Sequence, residues 1–115
     1  MTMTKLFNCT GHSQEAYAST YAEMGWEIEV EPRVQRVPAS EMEAEGKRVA
    51  ASIPPYSHVL VGGAQVITEA ASLDLLEKGC RIYAALTERE SSPDGGFVFN
   101  LRGVSETPLS KWWTQ

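Results

Sequence analysis

Short apolar runs alternate along this chain with segments whose apolar residues fall three or four apart. Lys5-Leu6-Phe7-Asn8-Cys9 reads as a strand and ends in Thr10-Gly11-His12-Ser13. Tyr17, Tyr21 and Met24 then recur at helical spacing. Ser13 stands where an N-cap is wanted, Glu15 lies in the first turn, and Gly25 closes the segment. Trp26-Glu27-Ile28-Glu29-Val30 alternates strictly, the mark of a strand with one solvated face, and Pro32 ends it or sets it at a sheet edge. Arg33-Val34-Gln35-Arg36-Val37 alternates too, as a continuation after a bend or as a loop. Ser40 and Glu43 have capping-box spacing, Met42, Val49 and Ile53 mark the inner face of a second helix, and Pro54-Pro55 stops it.

The stretch Ser57 to Arg89 carries the strongest pattern. Val59-Leu60-Val61 is a buried strand, Gly62-Gly63 a sharp turn, and Val66, Ile67, Ala70, Ala71 and Leu75 a helical stripe. Gly79 sits at a left-handed C-cap behind Lys78, and Cys80 to Leu86 is a second buried strand. Strand, turn, helix, strand is a βαβ unit and implies parallel pairing. Ser91 to Gly96 is a turn, and Phe97 to Leu101 a last, antiparallel edge strand. The order β-α-β-α-β-α-β-β predicts an α/β three-layer sandwich with a mostly parallel, Rossmann-like sheet and an antiparallel edge strand. Residues 1–115 form one domain in this reading, and the tail from Ser105, with Trp112-Trp113, is a packing or dimer contact.

Composition narrows the picture. A hydrophobic content of 43% and a charged content of 22% describe a globular domain. A net charge of −5 argues against a long nucleic acid as partner but not against a small anion held by local N–H groups. No run reaches the length of a membrane span and no apolar signal region opens the chain, so no membrane partner and a cytoplasmic location are expected. Cys9 and Cys80 fall in or beside buried strands and read as small apolar core residues. The chain lacks a phosphate loop, a dinucleotide-binding fingerprint, zinc spacing and a nucleophile elbow, so neither a metal nor another cofactor is expected.

In a parallel sheet, ligands bind beyond the carboxyl ends of the strands where strand order reverses. That rim collects Asn8, Thr10, Gly11, His12 and Ser13 from the first strand and Gly62, Gly63 and Gln65 from the third. The fourth contributes Thr87, Glu88 and Arg89. Helix N-termini, hydroxyls, amides, one histidine and one arginine suit a phosphate or a nucleotide. His58, on the opposite rim, reads as structural.

Leu6-Phe7-Asn8-Cys9-Thr10-Gly11-His12, the strand and Gly-Gly turn from Val59 to Gly63, and Ala85-Leu86-Thr87-Glu88-Arg89 carry a resemblance. Over about residues 4 to 104 the chain resembles the small stand-alone CRISPR-associated Rossmann-fold (CARF-like) proteins of type III systems. The resemblance implies a homodimer that binds a cyclic oligoadenylate, cyclic tetra-adenylate first, and linearises it without a metal, as ring nucleases do. In that chemistry a ribose 2′-OH attacks its own 3′-phosphate. His12 would be the general acid or base, and Arg89 with the Gly62-Gly63 amides would stabilise the developing charge. Three other readings stand beside it: a sponge that captures the same ligand uncleaved, an unrelated nucleotide-handling α/β enzyme, and an interaction module that shares only the fold.

Overall fold

The structure is a computed structural model that describes residues 2–114. Its sheet has five strands in the order β2-β1-β3-β4-β5: β1 Thr4–Cys9, β2 Trp26–Glu29, β3 His58–Val61, β4 Arg81–Ser91 and β5 Phe97–Glu106. The first four are parallel and β5 pairs antiparallel with β4. The fold is therefore α/β, with a mostly parallel sheet and an antiparallel edge pair. Four helices are present among the described residues: α1 Ala18–Glu23, α2 Met42–Ser52, α3 Gln65–Glu77 and α4 Pro108–Trp113.

Alternation along the strands decides which residues meet which helices. Cys9, Val59, Val61 and Ile82 face α2 and α3 and join Val49, Ala50, Ala71, Leu75 and Leu76 in the larger core cluster. Leu6 and Leu60 face the other way and meet Tyr21 of α1, with Tyr83, Ala85, Leu101 and Val104 packed around them. The two sides of the core differ in depth because α1 is one and a half turns long, whereas α2 and α3 have 11 and 13 residues. Helices α2 and α3 approach closely at Gly46, where a Cβ would stand 2.5 Å from the carbonyl oxygen of Ile67. No other residue fits there without pushing the helices apart.

Several expected boundaries differ. The expected first helix is a 3-10 turn at Glu15–Tyr17 followed by the short α1. The Ser40/Glu43 capping box does not form: a 3-10 turn at Ala39–Glu41 leads into α2, which has no side-chain cap. Of the two forms expected for residues 33–37, the loop is the one adopted. The expected tail contains α4, capped by Thr107, whose side chain accepts from the Ser110 N–H. Trp112 and Trp113 stand edge to face, with centroids 6.4 Å apart, and both are exposed.

Strands β4 and β5 run well past the expected ends at Leu86 and Leu101. Pairing with β3 stops at Ala84, while the β4–β5 ladder continues to Ser91 and Phe97. The distal half is a two-stranded ribbon rising beyond the carboxyl rim of the sheet. A bulge between Leu86 and Thr87 resets its alternation. Thr87, Arg89 and Ser91 then share a face with Phe97, Phe99 and Leu101, and Glu88 and Glu90 take the other.

Candidate functional site

Strand β1 connects outward to β2 and the chain then returns to β3, so strand order reverses between β1 and β3. The loop after β1 and the Gly62-Gly63 turn flank that point. The loop is shaped from beneath by hydrogen bonds that run in one direction. Tyr21 Oη donates to Gln14 Oε1 at 2.9 Å, and Gln14 Nε2 donates to Thr10 Oγ1 at 3.1 Å. Thr10 Oγ1 donates to Asn8 Oδ1 at 2.7 Å, and Asn8 Nδ2 donates to the carbonyls of His12 at 2.6 Å and Val30 at 3.2 Å. Asn8 also accepts from the Thr10 N–H, which uses the remaining capacity of its amide. Gln14 is held at φ 64, a left-handed conformation that a residue with a side chain rarely adopts. Burial pushes the Tyr21 hydroxyl up to about 12, with the nearby Tyr17 adding to it, so this donor stays protonated at neutral pH.

Above the loop lies a cavity of about 550 Å³. Tyr21 and Leu60 lie at its base, Thr10, His12 and Gln14 line one side, and Gly62 and Gly63 another. Ala84, Ala85 and Thr87 contribute from β4, and Tyr17, Phe99 and Leu101 complete the lining. Tyr17 and Phe99 are 39% and 57% exposed, so both rings offer free surface here. A second cavity of about 200 Å³ lies across the Gly62-Gly63 turn, against Gly11, the 34–37 segment and the start of α3. No Asp or Glu lines either one.

The residues expected on the rim separate into groups. Thr10, His12, Gly62, Gly63 and Thr87 line the larger cavity, and Gly11 lines the smaller. Asn8 is fully buried beneath them. Ser13 Oγ accepts from the Glu15 N–H two residues on, a local turn contact, and Gln14 rather than Ser13 stands at the N-cap. Gln65 reaches along α3 to Glu69 at 2.9 Å. Glu88 lies on the far face of the ribbon, paired with Arg102 at 3.0 Å. Arg89 is on the near face but its guanidinium sits 4.4 Å from the Phe97 ring centre, and it lines neither cavity. Gln14, Tyr17, Phe99 and Leu101 were absent from the sequence reading of the site. The alternation of Phe97-Val98-Phe99 next to a turn was a usable sign of an apolar ribbon face; nothing in the local sequence marks Gln14.

Behind the smaller cavity, Glu45 of α2 is buried and clamps the 33–37 loop. Arg48 donates to both its oxygens, at 2.6 and 2.7 Å, and the Gln35 N–H donates to it at 2.6 Å. These bonds, that from Arg48 first, hold its carboxyl below the usual glutamate range. The Val34 N–H ties the same loop to the carbonyl of Thr10. Burial, then the Glu45 charge, pushes the Cys9 thiol up to about 12, so it is no nucleophile at neutral pH. Cys9 and Cys80 are both unpaired and buried. Among the described residues no three His, Cys, Asp or Glu cluster as metal ligands, and no helix is long and apolar enough to cross a membrane.

The larger cavity combines the aromatic side chains of Tyr17 and Phe99 with hydroxyl, amide, imidazole and backbone groups. Comparison with protein-family models, curated proteins and solved structures returned no match.

Proposed function

We propose that this chain binds a nucleotide of the cyclic oligoadenylate class, cyclic tetra-adenylate foremost, at the reversal point between β1 and β3. The observation that carries the reading is the larger cavity, whose lining combines Tyr17 and Phe99 with polar loop residues, at the place where open α/β sheets take ligands. Aromatic side chains stack on bases and contribute about 1–3 kcal/mol per base. The sheet order supports a Rossmann-like layout, which this reading assigns to the CRISPR-associated kind, with α1 as the third layer of the sandwich. In this proposal a homodimer encloses the ligand and acts in the cytoplasm to end type III CRISPR signalling.

Ring opening follows if the ligand is held in line. The 2′-oxygen attacks the adjacent 3′-phosphorus, its proton passes to a base, and the bond to the 5′-oxygen breaks. That oxygen takes up a proton, leaving a 2′,3′-cyclic phosphate and a free 5′-hydroxyl. His12 is the imidazole on the cavity lining and is assigned the proton transfer. One observation favours the second reading, capture without cleavage: Arg89, the expected charge stabiliser, is turned onto Phe97. Incubation with cyclic tri-, tetra- and hexa-adenylate, with equilibrium binding measured and products resolved by chromatography, tests both. The proposal expects saturable binding of at least the tetra-adenylate ring. A linear product marks an enzyme and an intact bound ring marks a sponge. Absence of binding to every ring removes the proposal.

A further inference from the structure

The two cavities meet at Gly62 and Gly63, which line both. The protein itself does not require glycine at Gly62 for packing. A Cβ there would touch only Thr10 Cγ2, at an ordinary 3.6 Å, and one at Gly63 would meet nothing within 4 Å. The missing side chains leave the ridge between the cavities low, so one ligand can cross it. On the far side, Arg36 is the charged residue lining the smaller cavity, and no carboxylate pairs with it among the described residues. Its loop is held in place by Glu45, whose own charge is taken up by Arg48 and the Gln35 N–H. The chain carries 15 Asp and Glu among its 115 residues, yet none lines either cavity. An acid-free hollow bordered by an exposed arginine and by backbone between Val34, Val37, Met42 and Ile67, in a protein of net charge −5, is a place for an anion.

We infer that the smaller cavity is a phosphate subsite, with Arg36 as its cation, and that one ligand spans the glycine ridge with its base in the larger cavity and a phosphate in the smaller. This assignment of the ligand's parts rests on the nucleotide reading above; the anion site itself does not. Arg36 thereby sets the preference for nucleotides over nucleosides.

The probes are pyrophosphate and cyclic tetra-adenylate, titrated into the full ¹⁵N-labelled chain and followed at the Gly62, Gly63 and Ala64 amides and the Arg36 Nε–H. Pyrophosphate is expected to give saturable shifts at these groups. Arg36→Ala should weaken it at least tenfold, Arg36→Lys should retain part of the affinity, and Arg33→Ala, a charge lost from the same loop but outside both cavities, should change it less than twofold. Arg36→Ala should also weaken cyclic tetra-adenylate about tenfold. Absence of pyrophosphate shifts at these groups, or equal weakening by Arg33→Ala and Arg36→Ala, overturns the subsite. Cyclic tetra-adenylate that binds wild type and Arg36→Ala equally overturns it too, and leaves the nucleotide reading standing. Pyrophosphate that binds at Arg36 while cyclic tetra-adenylate does not bind leaves the anion site standing and removes the nucleotide reading.

Discussion

His12 and Gly62 separate binding from turnover more cleanly than other residues of the site. The His12 carbonyl accepts from Asn8 Nδ2 and the His12 N–H donates to Thr10 Oγ1, so the loop keeps its shape whatever side chain it carries at that position. His12→Ala should therefore lower any ring-opening rate by about 10²–10⁴, the usual worth of a general acid or base, and leave the dissociation constant within a fewfold. Product formation under single-turnover conditions, beside a binding isotherm, checks this. Gly62→Val tests the ridge, since the space at its Cβ position is open to a side chain of this protein but not to one plus a ligand. The variant should fold, with thermal stability near wild type, and bind more than tenfold more weakly, a loss of at least about 1.4 kcal/mol. Gly63 is the poorer choice, because its φ of 107 makes any side chain strained before a ligand arrives. Phe99→Ala removes one aromatic wall; binding should fall by about tenfold, with Phe99→Trp recovering most of it. Equal affinity in Phe99→Ala would take the base out of that cavity.

At the scale of elements, the 33–37 loop depends on α2 through Glu45. Its carboxyl titrates lower in the folded chain than in the unfolded one, so it contributes stability that is fully present above the ordinary glutamate pKa. That contribution is lost as pH falls through the depressed folded value. Glu45→Gln should cost about 2 kcal/mol near neutrality, the scale of hydrogen bonds to a charged group, and flatten the acid side of the stability profile. Chemical denaturation at a series of pH values reads both effects; parallel wild-type and variant profiles would show that Glu45 is not the group responsible. Element existence was legible in the sequence where burial leaves an apolar pattern, on both faces as in Val59-Leu60-Val61 or on one as in the stripe from Ile67 to Leu75. It fell short at the all-polar end of β4. Thr87 to Ser91 is strand because β5 pairs with it, not because of any alternation of its own, and the ribbon's Phe99 and Leu101 were therefore not placed in the site. The Ser40/Glu43 spacing misled for a separate reason: a 3-10 turn sets the helix start one residue later, with Glu41 and not Ser40 at the N-cap.

For the molecule as a whole, the βαβ alternation made the parallel sheet and its carboxyl rim readable from sequence, and the order β2-β1-β3-β4-β5 then fixes where on that rim the reversal falls. The rim residues split because a strand end presents alternate side chains to opposite faces: Thr87 reaches the cavity and Glu88 does not. Gln14 was hidden because its conformation is imposed by Thr10 and Tyr21, partners that meet it only after folding. The proposed two-fold dimer answers a symmetric ligand with a symmetric site. Light scattering at micromolar concentration should give twice the 12.7 kDa chain mass with ligand present, and a monomer with and without ligand would contradict it. The central claim is the location of a nucleotide at the β1/β3 reversal point, and a crystal structure with cyclic tetra-adenylate tests it most directly. The account predicts an adenine between Tyr17 and Phe99, with the adjoining phosphate across the Gly62-Gly63 ridge. Ligand bound anywhere else on the chain, with both cavities unoccupied, would contradict it.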